Sequence, residues 1–358
     1  MTIVTANRAS QTVRVGAHLL TLRDALPQDR EAVLRLHTEV FGSAVDAAWF
    51  DWKYGQALDR GHDGDQCRAV AAWNGNEMIA YFGGVPRTLW QRGQRLHGLQ
   101  LSDVMVHPTW RGILTRRGPF FHLSKHFYDA RLGSAPERPF QLAFGFSGNV
   151  HLRLAVLVGL GWDAGAIESL HWDPLSAAQA ALPWRWHWEE LLPTDQRFDA
   201  LVNSAWQAMR SQGGTLMLGQ RNATYVRWRY VERPVSPGSA PDAPARYRFF
   251  GIRHRWSRSF VGIAVLDLQS SSAHWLDWVG PLKMMPLASL ACRLEVARAG
   301  AAELTAWASS EVADQLTGTG ITQREVCAGI GVPCASDLTA PEVSGIRWWF
   351  MGGDTDFL

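Results

Sequence analysis

Asp103 stands in the apolar run Leu101-Ser102-Asp103-Val104-Met105-Val106, followed at once by His107-Pro108 and then by Arg111, Arg116 and Arg117 around Gly112. A carboxylate or an imidazole at a strand end can take a proton from an amine. A short basic, glycine-containing turn between strand and helix can bind a phosphate, because its amides and the positive end of the helix converge on one point. An alkylammonium, with an ordinary pKa of about 10.4, must lose a proton before it attacks, and three pH units correspond to roughly 4 kcal/mol. Proton removal from an amine beside a phosphorylated co-substrate is the chemistry these residues suit, with Asp103 as first candidate base and His107 as second. Asp103 equally suits a structural role, paired with a cation.

Other constellations carry less. His122 and His126 stand at i, i+4 on an expected helix, but no third ligand accompanies them, so no metal site is expected. Cys67, Cys292, Cys327 and Cys334 form neither a paired CxxC site nor a disulfide framework and read as buried thiols. Ser102 and Ser147 lack the Gly-x-Ser-x-Gly context of a hydrolase.

The elements that must position Asp103 follow from periodicity. Residues 29–41 carry Val33, Leu36, Val40 and Phe41 at helical spacing, and residues 67–90 read as two strands around Asn74-Gly75-Asn76. A strand ends at Val106. A helix over 118–128 presents Phe120, Leu123 and Phe127, a strand follows over 140–146, and a helix over 152–160 is closed by Gly161. Residues 171–215 read as a connector with a helix near 198–209. In it, Pro-Trp-Arg-Trp-His-Trp puts Trp184, Trp186 and Trp188 on one face of an extended segment, able to stack a base or sugar or to fill a domain interface. Beyond it lie a solvated Pro/Ser/Ala/Gly loop at 235–245, strands at 247–252, 260–268 and 275–279, a helix at 287–299, and strands at 303–308 and 346–351.

A faint internal repeat orders these elements. Trp49-Phe50-Asp51-Trp52-Lys53-Tyr54 and Tyr225-Val226-Arg227-Trp228-Arg229-Tyr230 share the pattern aromatic-x-x-Trp-basic-Tyr. Each is followed by a hairpin-like pair of strands and then by an aspartate in a strand that runs into proline: Asp103 with Pro108, and Asp277 with Pro281. The spacing between copies agrees to within two residues for motif and aspartate alike, which implies two similarly built halves. Trp52, Tyr54, Trp228 and Tyr230 suit either an acceptor pocket or repeated core anchors.

The segment LSDVMVHPTWRGILTRRGPFFHLSKHFYDA resembles the central motif of the GNAT superfamily of acyl-CoA-dependent N-acyltransferases: a strand, a V-x-P step, a basic glycine-containing loop and a helix. FQLAFGFSGNVHLRLAVLVGLGW resembles that superfamily's fifth strand and following helix, ending in Gly161-Trp162. The resemblance implies that backbone at Met105 and Val106 holds pantetheine. It implies that Arg111, Gly112, Ile113, Leu114, Thr115, Arg116 and Arg117 bind pyrophosphate, and that Asn149 meets the cofactor. Trp52, Tyr54 and Phe144 are the candidate acceptor residues. The loop departs from the usual Gln/Arg-x-x-Gly-x-Gly/Ala: read from Arg111, Leu114 and Arg116 replace glycines; read from Thr109, Gly112 is kept and Leu114 replaces the second. Leu157 stands where many members place a tyrosine that protonates the departing thiolate, a loss a thiol of ordinary pKa about 8.5 tolerates.

The chain has 358 residues, 47% hydrophobic and 19% charged, which excludes a disordered chain and gives room for two domains. Its formal charge of +2 argues against nucleic acid as a general partner, and with it against aminoacyl transfer from a charged RNA. No apolar stretch is long enough to span a membrane, and the N-terminus lacks a leader pattern, so a cytoplasmic location without a membrane partner is expected. The expected architecture is mixed α/β, two tandem GNAT-like domains, each a mostly antiparallel mixed sheet flanked by helices. Residues 1–16 would be a flexible N-terminus, 17–170 the domain with the acyl-CoA site, 171–215 the connector, and 216–358 a similar domain without its own cofactor. The expected function is N-acyl transfer from acetyl-CoA or another acyl-CoA to a small amine, an amino sugar on a nucleotide carrier or a secondary-metabolite amine. The alternative is a non-catalytic acyl-CoA-binding or scaffolding protein. Monomer and homodimer both remain open.

Overall fold

A computed structural model describes residues 10–42, 45, 47–55, 69–111, 118–135, 138–177, 180–234, 246–269, 271–334 and 338–355. In chain order the first elements are β1 (Gln11–Val15), β2 (His18–Asp24), α1 (Arg30–Phe41), α2 (Ala47–Phe50), β3 (Ala69–Asn74), β4 (Glu77–Gln91) and β5 (Gln94–Val106). Next come α3 (Pro119–Arg131), β6 (Leu142–Ser147), α4 (Asn149–Leu157), β7 (Gly161–Trp172), β8 (Trp186–Leu191), α5 (Phe198–Gln212), β9 (Met217–Gly219) and α6 (Ala223–Val226). The remainder is β10 (Tyr247–His254), β11 (Phe260–Leu268), β12 (Ser272–Val279), α7 (Met285–Arg298), β13 (Glu303–Ser309), α8 (Ser310–Gln315), β14 (Ile321–Pro333), α9 (Ala340–Ser344) and β15 (Trp348–Trp349). Among the described residues no helix is long and apolar enough to cross a membrane.

Two compact units form, and neither is a continuous stretch of chain. The first comprises Met1–Arg87, His97–Ala164 and Ile330–Ser344; the second comprises Thr88–Leu96, Gly165–Gly329 and Gly345–Leu358. These boundaries differ from a division at 170 and 216. The helix–strand series α1-α2-β3-β4-β5-α3-β6-α4-β7 is followed by a second of the same kind, α5-α6-β10-β11-β12-α7-β13-α8-β14, and the two series trade their last strands. β7 pairs with β13 in the second unit, from Ile167↔Ser309 to Trp172↔Leu304, while β14 follows β6 in the strand order and its end belongs to the first unit.

In the first unit the strand order is β1-β2-β3-β4-β5-β6-β14, antiparallel from β1 to β4 and parallel between β5 and β6. Strand alternation sorts its apolar residues to two faces. Val70, Ala72, Phe82 and Leu99 pack with Leu123 and Phe127 of α3 on one face. On the other, Ala69, Ala71, Met78, Tyr81 and Met105 pack with Val33 and Leu36 of α1. The second unit repeats the scheme: β8, β10, β11 and β12 are antiparallel neighbours, and β12 lies parallel to β13 with α7 as the crossover.

Several details depart from the sequence reading. Residues 11–15, placed in a flexible N-terminus, form β1, which turns into β2 through Gly16 at φ +60° and buries Val15, Leu20 and Leu22. Residues 186–191, placed in the connector, form an edge strand paired with β10. α4 ends at Leu157 and its left-handed glycine is Gly159, at φ +75°; Gly161 instead opens β7, where a β-carbon would lie 3.3 Å from the Val332 carbonyl oxygen. The closing strand shrinks to Trp348–Trp349, paired with β9. Cys292 is buried, and Cys327 and Cys334 are half-buried, all as free thiols; Cys67 and the loop at 235–245 lie outside the described residues.

Candidate active site

The site expected from sequence lies where β5 and β6 end. These parallel strands register from Gly98↔Leu142 to Gln100↔Phe144, yet β5 runs on to Val106 and β6 to Ser147. Past that ladder, Gly145 lets Leu101 approach closely, since a β-carbon on it would sit 3.1 Å from the Leu101 β-carbon. Asp103 then takes φ +49°, a left-handed conformation that aspartate tolerates better than most residues and that interrupts a strand as a bulge does. His107 donates its amide to the Ile79 carbonyl of β4 at 2.9 Å. Alternation along the strand therefore turns the Val106 N–H and C=O away from β4, toward the edge facing β6, while the Met105 backbone faces β4. Met105 buries its side chain in the core.

Parallel strands deliver their helices to the same end, which is where ligands bind in sheets of this kind. α3 begins after Gly118 with Pro119 at its first turn, and α4 begins after Gly148. Both glycines are extended and neither helix has a side-chain cap, so the amides of Phe120 and Phe121 in α3, and of Asn149 and Val150 in α4, have no partner within their helices. Asn149 is exposed at the start of α4. Gly112, Ile113, Leu114, Thr115, Arg116 and Arg117 lie outside the described residues. Arg111, on their near side, folds back so that its Nε donates to the Val106 carbonyl at 2.9 Å.

Asp103 is bound on both oxygens. Lys53 Nζ donates to Oδ1 at 3.0 Å and the Tyr54 hydroxyl donates to Oδ2 at 2.5 Å. Lys53 is buried, and its ammonium stands 4.7 Å from the centroid of the Trp49 ring. The Asp103 side chain keeps 12% of its surface exposed. His107 caps the turn Pro108–Trp110: its Nδ1 lies 2.7 Å from the Thr109 hydroxyl, and its Nε2 lies 3.4 Å from a Glu39 oxygen. The structure thus joins Tyr54 to Asp103 and Arg111 to Val106. Trp52 is half-buried, and Phe144 is fully buried edge-on to Phe146, within the core rather than on a pocket wall. Leu157 is exposed. Burial lowers the pKa of His122, and His126 lies 3.1 Å from Gln11. Among the described residues no group of three metal-ligating side chains occurs.

The second unit repeats this arrangement in sealed form. Tyr230 donates to Asp277 at 3.0 Å, as Tyr54 does to Asp103. β12 carries an extra residue just before Asp277, the register stepping from Val265↔Asp277 to Leu266↔Trp275. Arg221 donates to Asp277 at 2.8 Å and also to Asp354, and all three side chains are buried. Burial alone would draw the Arg221 guanidinium down, but Asp277 and Asp354 hold it above its ordinary value; burial pushes Asp277 up against the pull of Arg221. Burial, and then the Asp277 charge, raise the Tyr230 phenol well above its usual range, so it stays a donor. Arg229, at the repeat position of Lys53, donates instead to the carbonyls of Gly353 and Thr355. Lys53 as the partner of Asp103 was not foreseen, although the basic residue inside the repeated motif was the available signal.

No protein-family model matches the sequence, and no curated protein does. Solved structures do match. A conserved protein of unknown function from Enterococcus faecalis V583, described as a probable N-acyltransferase, is 8% identical and aligns over 88% of this chain and 72% of its own, with a TM-score of 0.64. A GCN5-related N-acetyltransferase from Kribbella flavida is 14% identical over 87% of this chain and 70% of its own, with a TM-score of 0.61. The N-myristoyltransferase of Saccharomyces cerevisiae with bound myristoyl-CoA is 10% identical over 92% of this chain and 83% of its own, at a TM-score of 0.50. At these identities the likeness is one of fold: the chain has the fold of the GCN5-related N-acetyltransferases and of N-myristoyltransferase.

Proposed function

We propose that the chain is an acyl-CoA-dependent N-acyltransferase whose site lies in the first unit. The observation that carries this reading is the end of the β5–β6 ladder at Gln100↔Phe144, with the bulged Asp103 beyond it and two glycine-capped helix N-termini at the same end. The diphosphate of the co-substrate sits at the start of α3 with residues Gly112–Arg117, and Asn149 meets it from α4. The pantetheine arm follows the β5 edge at Val106, with the side chain of Met105 beneath it. The Val106 carbonyl already accepts from Arg111, which leaves the Val106 amide as the backbone donor for the arm.

The acceptor nitrogen attacks the thioester carbonyl. Before that attack Asp103, directly or through one water, draws off the ammonium proton, with His107 as the alternative base, and the nitrogen of the tetrahedral adduct releases its second proton to solvent. Lys53 and Tyr54 fix the orientation of the carboxylate. The C–S bond breaks, sulfur leaves as a thiolate and later takes a proton from solvent, which fits an exposed leucine at position 157. A small amine, with an amino sugar on a nucleotide carrier or a secondary-metabolite amine as the leading classes, enters beside Trp52. Acetyl-CoA or another short acyl-CoA is the donor, and the cytoplasm is the proposed location. The sealed Asp277 supports reading the second unit as lacking a cofactor of its own.

A second reading, an acyl-CoA-binding protein without turnover, draws support from the ion pair that already engages Asp103. Calorimetric titration with acetyl-CoA and longer acyl-CoA, followed by thiol release across an amine panel, separates the two. Binding with turnover supports the transferase, binding without turnover the second reading, and no binding removes both.

A further inference from the structure

Trp184, just ahead of β8, and Trp186 and Trp188 within it take no part in the proposed transfer. β8 pairs with β10 from Leu191↔Phe249 to Trp186↔His254, and the Arg255 amide donates to the Arg185 carbonyl at 2.8 Å, extending the ribbon by one step. Alternation then stacks the aromatic rings along one face. Trp188 lies parallel to Phe250 at 5.1 Å, Trp186 meets His254 edge-on at 5.4 Å, and Trp184 meets Trp256 at 4.3 Å. The ladder starts in the core, where Phe250 is buried, and ends in solvent, where Trp184 is 63% and Trp256 69% exposed. Arg255 alternates onto the opposite face, Arg185 curls back so that its guanidinium lies 5.8 Å from the centroid of the Trp186 ring, Arg258 follows in the turn, and all three are exposed. The nearby carboxylates of β8 are already engaged, Glu189 by Arg253 at 2.7 Å and with His187 at 3.5 Å, and Glu190 by Arg248 at 2.7 Å.

We propose that this ribbon tip docks the protein peripherally on an anionic lipid surface. Tryptophan edges favour the boundary between headgroups and acyl chains, and arginines beside them reach lipid phosphates. Two features favour lipid over a single-stranded nucleic acid or a glycan. Such polymers need a flat, open aromatic platform, whereas Trp184 and Trp256 tilt into each other at an interplanar angle of 57°. Cations also flank the narrow tip on both faces, Arg185 over Trp186 and Arg255 on the side away from the rings, so one ligand engages them together only by surrounding the tip, as a lipid interface does. This departs from the expectation of no membrane partner, which rested on the absence of a spanning stretch.

The test is co-sedimentation of the full chain with vesicles of phosphatidylcholine alone and of phosphatidylcholine mixed with phosphatidylglycerol, at low and high salt. The wild type is expected to sediment with the anionic vesicles and to be released by salt. Trp184→Ser/Trp256→Ser and Arg255→Gln/Arg258→Gln are each expected to lose about tenfold or more of that partitioning. Their melting temperatures should stay at the wild-type value, because the side chains are exposed. Absence of anionic-vesicle binding, unchanged binding in either double variant, or binding to a single-stranded oligonucleotide or a polysaccharide in place of vesicles overturns the proposal.

Discussion

Replacing Tyr54 and Tyr230 separately by phenylalanine removes the same hydroxyl from the two copies of one device and should give different results. Tyr230 donates to Asp277 at 3.0 Å where phenol and carboxylate are both buried, and a β-carbon on Gly353 would overlap the hydroxyl, so no water can replace it. A hydrogen bond to a charged group in such a place is worth about 1.5–3 kcal/mol. Asp277 keeps Arg221 and the Trp278 amide, which puts Tyr230→Phe near the middle of that range, about 2 kcal/mol. A unit of 150–250 residues loses about 2–4 °C per kcal/mol, so the expected fall in melting temperature is roughly 4–8 °C. Tyr54 donates to an Asp103 that retains 12% exposure and its Lys53 partner. Water can reach that carboxylate, so Tyr54→Phe should cost about 1 kcal/mol or less in stability. It should instead lower kcat for acyl transfer, since it loosens the candidate base. Scanning calorimetry of both variants, with steady-state thiol release, measures both effects. Equal melting shifts, or a larger shift for Tyr54→Phe, would refute the contrast between an open and a sealed copy.

Three further outcomes follow. Asp103→Asn should lower kcat by about 100-fold or more with an unchanged calorimetric affinity for acyl-CoA, and kcat within a few-fold of wild type in the folded variant would remove Asp103 as the base. Gly262→Ala should destabilise by about 1–3 kcal/mol, because its β-carbon would lie 2.6 Å from the Trp278 ring and 2.7 Å from the Val279 carbonyl; a denaturation midpoint equal to wild type would contradict this. Arg324 donates to Glu168 and holds its carboxyl below the ordinary glutamate range. A depressed carboxyl contributes stability above its unfolded pKa of about 4.3, and that contribution is lost as pH falls through the folded value. Arg324→Gln should therefore melt earlier than wild type at neutral pH, and the gap should close on acidification; a gap that widens in acid would reverse the assignment.

The repeat was legible because it consists of contacts: a helical segment supplies a tyrosine and a strand bulge supplies the aspartate that holds it, so both ends are marked in each copy. Lys53 was less legible, since a lysine in a short motif reads as solvated until Trp49 is seen to cover it. β14 escaped notice because Thr322–Val326 are exposed and show no alternation, while only its end, with Ile330 and Val332, is buried. Gly161 and Gly159 are close enough in sequence that periodicity alone did not separate the residue ending a helix from the one opening a strand. The parting of β5 and β6 leaves no mark on composition; it depends on strand register, which only the fold sets.

The traded strands bear on the order in which a growing chain can become structured. Residues Ile330–Pro333, which complete the first unit, are made after nearly all of the second. Domains ordinarily fold as they emerge during synthesis, the N-terminal one first. Here the first unit leaves the ribosome with the place beside β6 still vacant, an unpaired sheet edge of the kind that invites aggregation until most of the second unit has been made.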